Sequence, residues 1–274
     1  MALITITQSF GLSGEIIAGQ VADRLGLEVF DDKKIQDAVL ASGGALKEDI
    51  SGLEAMGGGL LDRLFTNKPA VYLELLGSVV YDIASRGKGV IIGHAAQVFL
   101  KDYNCAFHIR LHASEPFRAE SFAKKHGMKA DAALDFVRRM DQRFQDFVRY
   151  SFDRDWNDLS QYDLVINLDK IGEKWAVKLV ADLAESEEIQ ECSLEPLNAM
   201  RSSALQRKVH AAIIKHNLPY HGFHVDVIGR EKVHLAGLVY SSEEHKRLLA
   251  VVREVQGVSE VTSDIVVISQ PDFV

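Results

Sequence analysis

The chain has 274 residues, of which 47% are hydrophobic and 26% charged, a composition typical of a globular protein with one large domain or two modest ones. It excludes a fibrous protein, an intrinsically disordered chain and a small disulfide-stabilised protein. The 39 Asp and Glu residues outnumber the 31 Lys and Arg residues, so the formal net charge is −8. This charge disfavours sequence-independent binding to nucleic acid and to an anionic membrane surface.

Cysteine usage and hydropathy indicate the cellular compartment of the protein. Cys105 and Cys192 are far apart and belong to no CxxC pair, which favours a reducing, cytoplasmic setting. The N-terminus has no basic segment before its apolar residues, so no secretory signal is predicted. The longest apolar stretch, residues 89–100, contains His94 and Gln97 and is too short to span a bilayer. We therefore expect a soluble, cytoplasmic protein.

Strands alternate with helices through the first two thirds of the chain. LITIT alternates like a strand, FGLSG predicts a glycine-rich turn, and the next twelve residues have the apolar spacing of a helix. The run GVIIG is typical of a strand buried on both faces of a parallel sheet. AFHIRLHA and YDLVINL are two further strand candidates. This order predicts a three-layer α/β domain with a parallel sheet.

The composition changes at residues 185–198, which carry five glutamates and little periodic hydrophobicity. We interpret this stretch as an interdomain linker. The order after it is αββαβ, with a first helix at residues 200–217 and a tight turn at Gly229 and Arg230 between the two paired strands. The predicted organisation is an α/β domain at residues 1–185, an acidic linker at 186–199 and a small α+β domain at 200–274.

The glycine-rich turn after the first strand is the candidate phosphate site, formed by Gly11, Leu12, Ser13 and Gly14. In α/β proteins the N–H groups and the helix dipole converge on a phosphate at this position. A Walker loop would continue with Lys and Ser or Thr, whereas Glu15 supplies a carboxylate and the residue after it has no hydroxyl. Phosphate binding and a purely structural turn both remain open.

Three segments, residues 4–35, 89–103 and 138–180, resemble the cytidylate kinase-like proteins, a branch of the P-loop nucleoside monophosphate kinases. The most specific match is Asp155-Trp156 followed by YDLVIN, which is similar to the family's DW…YDLxIN signature. The resemblance implies a three-layer P-loop kinase fold. For an active member it also implies a transferase that uses ATP and Mg²⁺ to phosphorylate a nucleoside monophosphate.

The resemblance is weakest where the family carries its charged residues. Members typically open with SREFGSGGR, whereas Gln8 and Ser9 stand at the Arg and Glu positions and Glu15 replaces the final arginine. A later GRxA motif has His94 in place of the arginine that faces the nucleotide. Phosphoryl transfer depends on positive charge around the moving phosphate. These departures predict a degenerate site.

Other family positions are retained, and each also has a structural interpretation. Phe144 and Asp146 stand where the family tends to place basic residues, although Arg143 and Arg149 remain nearby in the lid helix. The resemblance implies that these two arginines neutralise charge during catalysis, whereas the nearby aspartates favour a solvated helix with i, i+4 ion pairs. Asp31 matches an early acidic position beside the nucleotide monophosphate, and it equally predicts a cap for the helix that follows.

Histidines at two places were considered as metal ligands. His108, Arg110 and His112 project to one face of a strand, and His221 and His224 bracket a turn. Neither place has a Cys or carboxylate to complete a ligand set. We predict ordinary polar packing and no metal site.

Residues 200–274 resemble a BON domain through an amphipathic first helix, a hairpin and the closing Gly257-Val258-x-x-Val261 pattern. BON domains are usually linked to phospholipid or envelope association. This segment has no basic face, so membrane binding is disfavoured. Of the roles that the resemblance implies, we expect only the binding of a protein partner or the sensing of a ligand.

The preferred hypothesis is a degenerate nucleoside monophosphate kinase-like protein with a nucleotide-binding or regulatory role. In this hypothesis the kinase-like domain is coupled to a BON interaction domain. The alternative is an active ATP-dependent (d)CMP or pyrimidine nucleoside monophosphate kinase. Both place phosphate at residues 11–14, with Asp31 and His94 on the nucleotide side.

Overall fold

The computed structural model describes residues 2–43, 69–190, 193–218 and 222–268. The chain forms two compact units, each assembled from two stretches of sequence. The first unit comprises Met1–Gln36 and Arg86–Ser193, and the second comprises Asp37–Ser85 and Leu194–Val274.

The helices are, in chain order, α1 (Gly14–Leu25), α2 (Asp32–Ala41), α3 (Pro69–Ala84), α4 (Ala96–Leu100), α5 (Glu115–His126), α6 (Ala130–Phe152), α7 (Glu173–Ala184), α8 (Glu187–Gln190), α9 (Leu194–Lys215) and α10 (Ser242–Arg253). None of these described helices combines the length and apolar character needed to cross a membrane.

The first unit contains a parallel sheet in the order β2-β3-β1-β4-β5. Its strands are β1 (Leu3–Gln8), β2 (Val29–Phe30), β3 (Gly89–Ile92), β4 (Ala106–His112) and β5 (Leu164–Asn167). Strand β1 is central, between β3 and β4, and all the pairings of the sheet are parallel. The predicted α/β fold with a parallel sheet is confirmed.

The two faces of this sheet differ in chemistry because side chains alternate along each strand. One face is apolar: Ile4, Ile6 and Ile109 pack against α1 and α7 in one buried cluster. The opposite face carries the side chains that alternate with these, and it is polar although buried: Thr5, Thr7, Ser9, His108 and Arg110. A buried polar face must be hydrogen-bonded within the protein or to a ligand, so it is the first place to search for a site.

The second unit contains a three-stranded sheet of β6 (Phe223–Ile228), β7 (Lys232–Val239) and β8 (Glu260–Val267). Strands β6 and β7 form an antiparallel hairpin, and β8 pairs in parallel with β7. Helices α9 and α10 cover one face with a core that includes Val209, Ile213, Leu235 and Leu248. This is the predicted αββαβ order.

Helix α9 begins at Leu194, whereas the sequence pattern predicted its start at residue 200. Residues 194–199 include Pro196 and have little periodic hydrophobicity, so their sequence does not show the spacing of a helix. In the structure Pro196 lies in the first turn of the helix, where the missing N–H would have no intrahelical partner.

Helix α3 belongs to the second unit although it lies within the first 185 residues. It packs against α9 with its buried Leu75, Leu76 and Val80. Two ion pairs join the helices: Arg207 Nη1 lies 3.1 Å from Glu74 Oε2, and Lys208 Nζ lies 2.6 Å from Asp82 Oδ2. The compact units therefore do not follow the order of the sequence, and the domain boundaries at residues 185 and 200 stay a prediction.

Candidate functional site

The strand order of the first unit places a topological switch point at the carboxyl ends of β1 and β3. These strands are neighbours, but the chain after β1 leads to β2 on one side and the chain after β3 leads to β4 on the other. Ligands of open α/β sheets bind where such connections diverge. Residues 11–14 follow β1 and His94 follows β3, so the structure brings these two predicted binding elements to the same edge.

The glycine turn is tightly packed. Gly11 has φ +89°, and a Cβ at this position would lie 3.3 Å from the carbonyl oxygen of Arg118. A Cβ on Gly14, the first residue of α1, would collide with Oε1 of Gln8. Gly11 is therefore required by its positive φ and by the nearby backbone, whereas the group that approaches Gly14 is the flexible side chain of Gln8, which a larger residue would displace.

Gln8 occupies the N-terminus of α1. Its Oε1 accepts a 2.7 Å hydrogen bond from the N–H of Gly14, and its Nε2 donates a 2.9 Å hydrogen bond to Glu15 Oε1. The N–H groups of Ile16 and Ile17 donate to the carbonyl of Ser13. An amide oxygen thus takes the place that a phosphate oxygen takes at a helix N-terminus. Sequence analysis noted Gln8 as a lost cation and missed this contact.

A buried arginine lies next to the glycine turn, and protein groups already neutralise it. Arg118 is 3% exposed, and its Nη1 lies 2.7 Å from Asp141 Oδ2. The same guanidinium donates to the carbonyls of Phe10 and Ala113, at 2.9 and 3.0 Å. Asp141 also accepts a 3.0 Å hydrogen bond from the N–H of Phe10. This cation holds the turn in place and has little positive charge left for a phosphate.

The turn after β3 is strained. His94 and Ala95 have φ values of 58° and 52°, the left-handed region that residues other than glycine rarely adopt. His94 is buried and its Nε2 lies 2.8 Å from Asp32 Oδ1. Partial desolvation at the contact acts to raise the pKa of Asp32, whose side chain is otherwise exposed, but the interaction with His94 outweighs it and holds that pKa below its usual value.

The acidic residue next to His94 is Asp32, and sequence analysis had selected its neighbour. Asp31 accepts a 2.9 Å hydrogen bond from the N–H of Lys34, so it caps α2, the second of the two interpretations left open above. A role for Asp31 toward a nucleotide stays a prediction.

The two lid arginines lie apart from the glycine turn in the structure. Arg149 is exposed and lies 3.0 Å from Asp146. It is eight residues beyond Asp141, about 12 Å along the helix axis. Arg143 is exposed and lies about 200° around the helix from Asp141. Their catalytic role therefore stays a prediction.

Arg149 lines a cavity of about 420 Å³ at the C-terminal end of α6. The other lining residues are mostly charged or amide-bearing: Gln142, Gln145, Asp146, Asp153, Arg154, Asp155 and Asn157. The three aspartates balance the arginines, so the cavity does not present the concentrated positive charge that a polyphosphate needs.

The polar face of the sheet is largely hydrogen-bonded internally. Thr5 Oγ1 lies 2.7 Å from His108 Nδ1, and Thr7 Oγ1 donates a 2.9 Å hydrogen bond to Gln97 Oε1. Burial lowers the pKa of His108, with the charge of Asp163 opposing the shift. Burial, assisted by the charge of Arg110, also lowers the pKa of His112.

Two of the residues weighed in the sequence, Cys192 and His221, lie outside the described residues. Within the described ranges no three His, Cys, Asp or Glu side chains converge in a way that could hold a metal ion.

Among solved structures, an uncharacterized protein from Eubacterium ventriosum ATCC 27560 is 15% identical, with a TM-score of 0.54 over 68% of this chain and 99% of that chain. This identity supports the fold alone. A shikimate kinase from Bacteroides thetaiotaomicron is 14% identical over 68% of this chain and 99% of that chain, with a TM-score of 0.43. A gluconokinase from Sinorhizobium meliloti 1021 is 13% identical over 70% and 98%, with a TM-score of 0.40. These last two scores are too low to support an argument.

No curated protein matches this sequence. Residues 202–269 match the BON domain, which agrees with the αββαβ order of the second unit. Residues 3–170, more than half of the chain, match the cytidylate kinase-like family. The match includes the glycine turn, the strained turn at His94 and the whole parallel sheet. The chain therefore belongs to the cytidylate kinase-like family and carries a C-terminal BON domain.

Proposed function

We propose that this protein is a degenerate nucleoside monophosphate kinase-like protein. It binds a nucleotide or another small phosphorylated ligand without efficient phosphoryl transfer and couples that binding to its BON domain. The observation that carries the proposal is the Gln8 amide at the N-terminus of α1, held between the N–H of Gly14 and the carboxylate of Glu15. A ligand phosphate must displace this amide, and it then meets a carboxylate instead of a cation.

The altered turn is expected to lower ligand affinity much less than it lowers the rate of phosphoryl transfer. Displacing the amide breaks its neutral hydrogen bond with Gly14, about 0.5–1.5 kcal/mol, and its exposed hydrogen bond with the Glu15 carboxylate, about 1.5 kcal/mol. The total of about 2–3 kcal/mol lowers affinity by about 30- to 150-fold, which weakens binding without abolishing it. Removing a group that stabilises charge in a transition state costs about 10²–10³ in rate. The turn lacks the Walker lysine, and the nearby Arg118 is neutralised by Asp141. Two or more such losses reduce phosphoryl transfer far more than binding.

The residues of the turn do not fit Mg²⁺-ATP as a Walker loop holds it. Glu15 occupies the lysine position and is hydrogen-bonded to Gln8, and the next residue has no hydroxyl for Mg²⁺. The alternative, an active ATP-dependent kinase of CMP, dCMP or UMP, is supported by the family match over residues 3–170. It requires Arg143 and Arg149 to supply the cations that the turn lacks.

The BON domain is the part of the chain that we expect to bind a partner. Its residues 200–274 carry nine basic and eight acidic side chains, so this segment has almost no net charge with which to bind an anionic membrane or a nucleic acid. We therefore include a protein partner in the proposal, and a cytoplasmic location consistent with the cysteine usage.

Two measurements on the full chain test this proposal together. Calorimetry with ATP, CMP, dCMP and UMP in Mg²⁺ reports binding, and a steady-state assay of ATP consumption with each monophosphate reports turnover. We expect binding of at least one nucleotide and no turnover above the protein-free rate. Turnover of CMP would support the alternative, and the absence of binding by every nucleotide would contradict both hypotheses.

A further inference from the structure

Arg110 is an arginine that the proposed function does not use. It projects from β4 onto the polar face of the sheet and is 4% exposed. Its guanidinium lies 3.7 Å from the centre of the Trp156 ring, and Nη2 donates a 3.3 Å hydrogen bond to Ser9 Oγ. Nη1 is buried and has no hydrogen-bond partner among the described residues. No described carboxylate lies within ion-pair distance of this guanidinium.

Gln97 supplies a second unsatisfied donor beside Arg110. Its Oε1 accepts the hydroxyl of Thr7, and Thr7 is the register partner of Arg110 across β1 and β4. Its Nε2 is buried without a hydrogen-bond partner among the described residues. The side chains of Gln97 and Arg110 also both approach the hydroxyl of Tyr162. The two unsatisfied donors therefore belong to one local cluster.

We propose that Arg110 and Gln97 form a binding site for the oxyanion group of a small ligand, a phosphate or a carboxylate, and that Trp156 covers this site. A buried charge without a counter-charge and a buried donor without an acceptor are each costly. An oxyanion satisfies both, because its oxygens accept from the guanidinium and the amide together. The nearby Asp141 cannot serve, because it already pairs with Arg118.

Trp156 is the buried residue of an otherwise exposed segment. Residues 153–160 are exposed apart from Trp156, and the ring of Trp156 lies on the guanidinium as a cover. The hydroxyl of Tyr162 donates a 3.0 Å hydrogen bond to the carbonyl of Trp156. For a ligand to reach Nη1 of Arg110 from this side, the segment has to lose this bond, the contact with the guanidinium and the stacking of Trp156 on Phe144, whose ring centres are 5.7 Å apart.

The site stands apart from the glycine turn in its chemistry. It uses side-chain donors of β4 and α4, whereas the turn uses backbone N–H groups at the start of α1. The inference therefore does not depend on nucleotide binding at the turn. It goes beyond the proposed function by assigning a second ligand group.

Tryptophan fluorescence tests the site directly, because the chain has two tryptophans and the other, Trp175, is exposed. In the Trp175→Phe protein the emission reports Trp156 alone. This protein is titrated with inorganic phosphate and, separately, with acetate, at constant ionic strength set with chloride. We expect a saturable change of Trp156 emission with phosphate, with acetate, or with both. Comparison of the two titrations shows whether the site binds phosphate, a carboxylate or either group.

Variants in the same background assign the change to Arg110. We expect Arg110→Met to weaken binding by at least about tenfold and Gln97→Met to weaken it less. Arg24→Met is the matched control: it removes an arginine that pairs with Asp182 on the opposite face of the sheet, and we expect it to leave binding unchanged. Arg110→Lys keeps the charge, so we expect intermediate binding, and this variant serves if Arg110→Met fails to fold.

Several results would overturn the proposal. Emission that does not respond to either anion, or responds equally to chloride, would show that Arg110 is a structural residue whose free donor is met by water. Binding that is unchanged in Arg110→Met, or in Arg110→Lys if only that variant folds, would place the anion elsewhere. Nucleotide binding at the turn can fail without affecting any of these outcomes.

Discussion

Replacing Glu15 by Lys is the change that most directly alters the phosphate-binding capacity of the glycine turn. Glu15 is exposed at the start of α1 and accepts a 2.9 Å hydrogen bond from Nε2 of Gln8. Lysine removes this acceptor, so Gln8 keeps only its contact with the N–H of Gly14. The same substitution removes a negative charge from the anion site and adds a positive one.

The expected gain follows from these two effects. A charge-assisted hydrogen bond to a phosphate contributes about 1.5–3 kcal/mol. Because the position is exposed, solvent screening favours the lower end of that range. About 1.4 kcal/mol corresponds to a factor of ten, so we expect Glu15→Lys to bind ATP about tenfold more tightly than the wild-type protein.

Isothermal titration calorimetry with ATP measures this change, and the chain offers a matched control. Glu173 is an exposed glutamate in the first turn of another helix, α7. Glu173→Lys makes the same charge change at a helix N-terminus, with the same unfavourable dipole term of about 0.3–1 kcal/mol, and does not touch the glycine turn. We expect ATP affinity to stay at the wild-type value in Glu173→Lys.

Two results would refute the reasoning. An equal gain in both variants would show that net charge, and not the turn, determines binding. If the wild-type protein already binds ATP tightly, phosphorylates CMP and is unaffected by Glu15→Lys, then the site is not degenerate. The catalytic cations would then come from α6, from the arginines whose role stays a prediction here.

Three further predictions concern stability and organisation. Removing residues 194–274 uncovers the apolar surface of α3, so we expect the truncated protein to aggregate; a soluble product with a cooperative melt would contradict this. Limited proteolysis of the full chain should cut first within residues 185–198, and a first cut elsewhere would count against that linker. Burial lowers the pKa values of His108 on β4 and of His210 on α9. Below about pH 6.5 the unfolded chain therefore binds more protons than the folded one, and stability falls as pH decreases. In urea unfolding between pH 7.5 and 5.5, His108 contributes a slope of at most about 1.4 kcal/mol per pH unit, and His108→Gln should flatten that slope; an unchanged slope would contradict the assignment.

The parallel sheet and the αββαβ order were predictable because both depend on local patterns. Alternation along LITIT and the apolar run GVIIG fix which residues form strands, and the strand-turn-helix order places residues 11–14 at the carboxyl edge of the sheet. The DW…YDLxIN signature then located the family. None of these signals requires knowledge of contacts between residues distant in sequence.

The contacts that decide the site are of another kind, and the sequence could not supply them. Gln8 is six residues from Gly14, and only the backbone geometry of the turn shows that its amide reaches the helix N-terminus. The choice between Asp31 and Asp32 depends on the direction of one side chain at the start of α2. Arg110 was interpreted as ordinary packing, and its lack of a counter-charge emerges only when Asp141 is found with Arg118.

The placement of α3 is the largest departure from an interpretation based on chain order. Its sequence PAVYLELLGSVVYDIA is apolar on most sides, which indicates a helix that must be covered but not what covers it. In the structure its cover is α9, more than a hundred residues later, through the pairs Arg207–Glu74 and Lys208–Asp82. A single sequence contains no signal for such a long-range pairing.

The central claim is that this cytidylate kinase-like site binds its ligand but does not transfer phosphate. A single-turnover experiment tests it most directly, with the 274-residue chain in excess over ATP labelled at the γ-phosphate and at a concentration well above its Kd for ATP, and with CMP and Mg²⁺ saturating. Because each ATP is then bound, slow product release cannot conceal the chemical step. We expect CDP to form no faster than in the protein-free control, whereas transfer of the label to CMP in proportion to the bound ATP would contradict the proposed function.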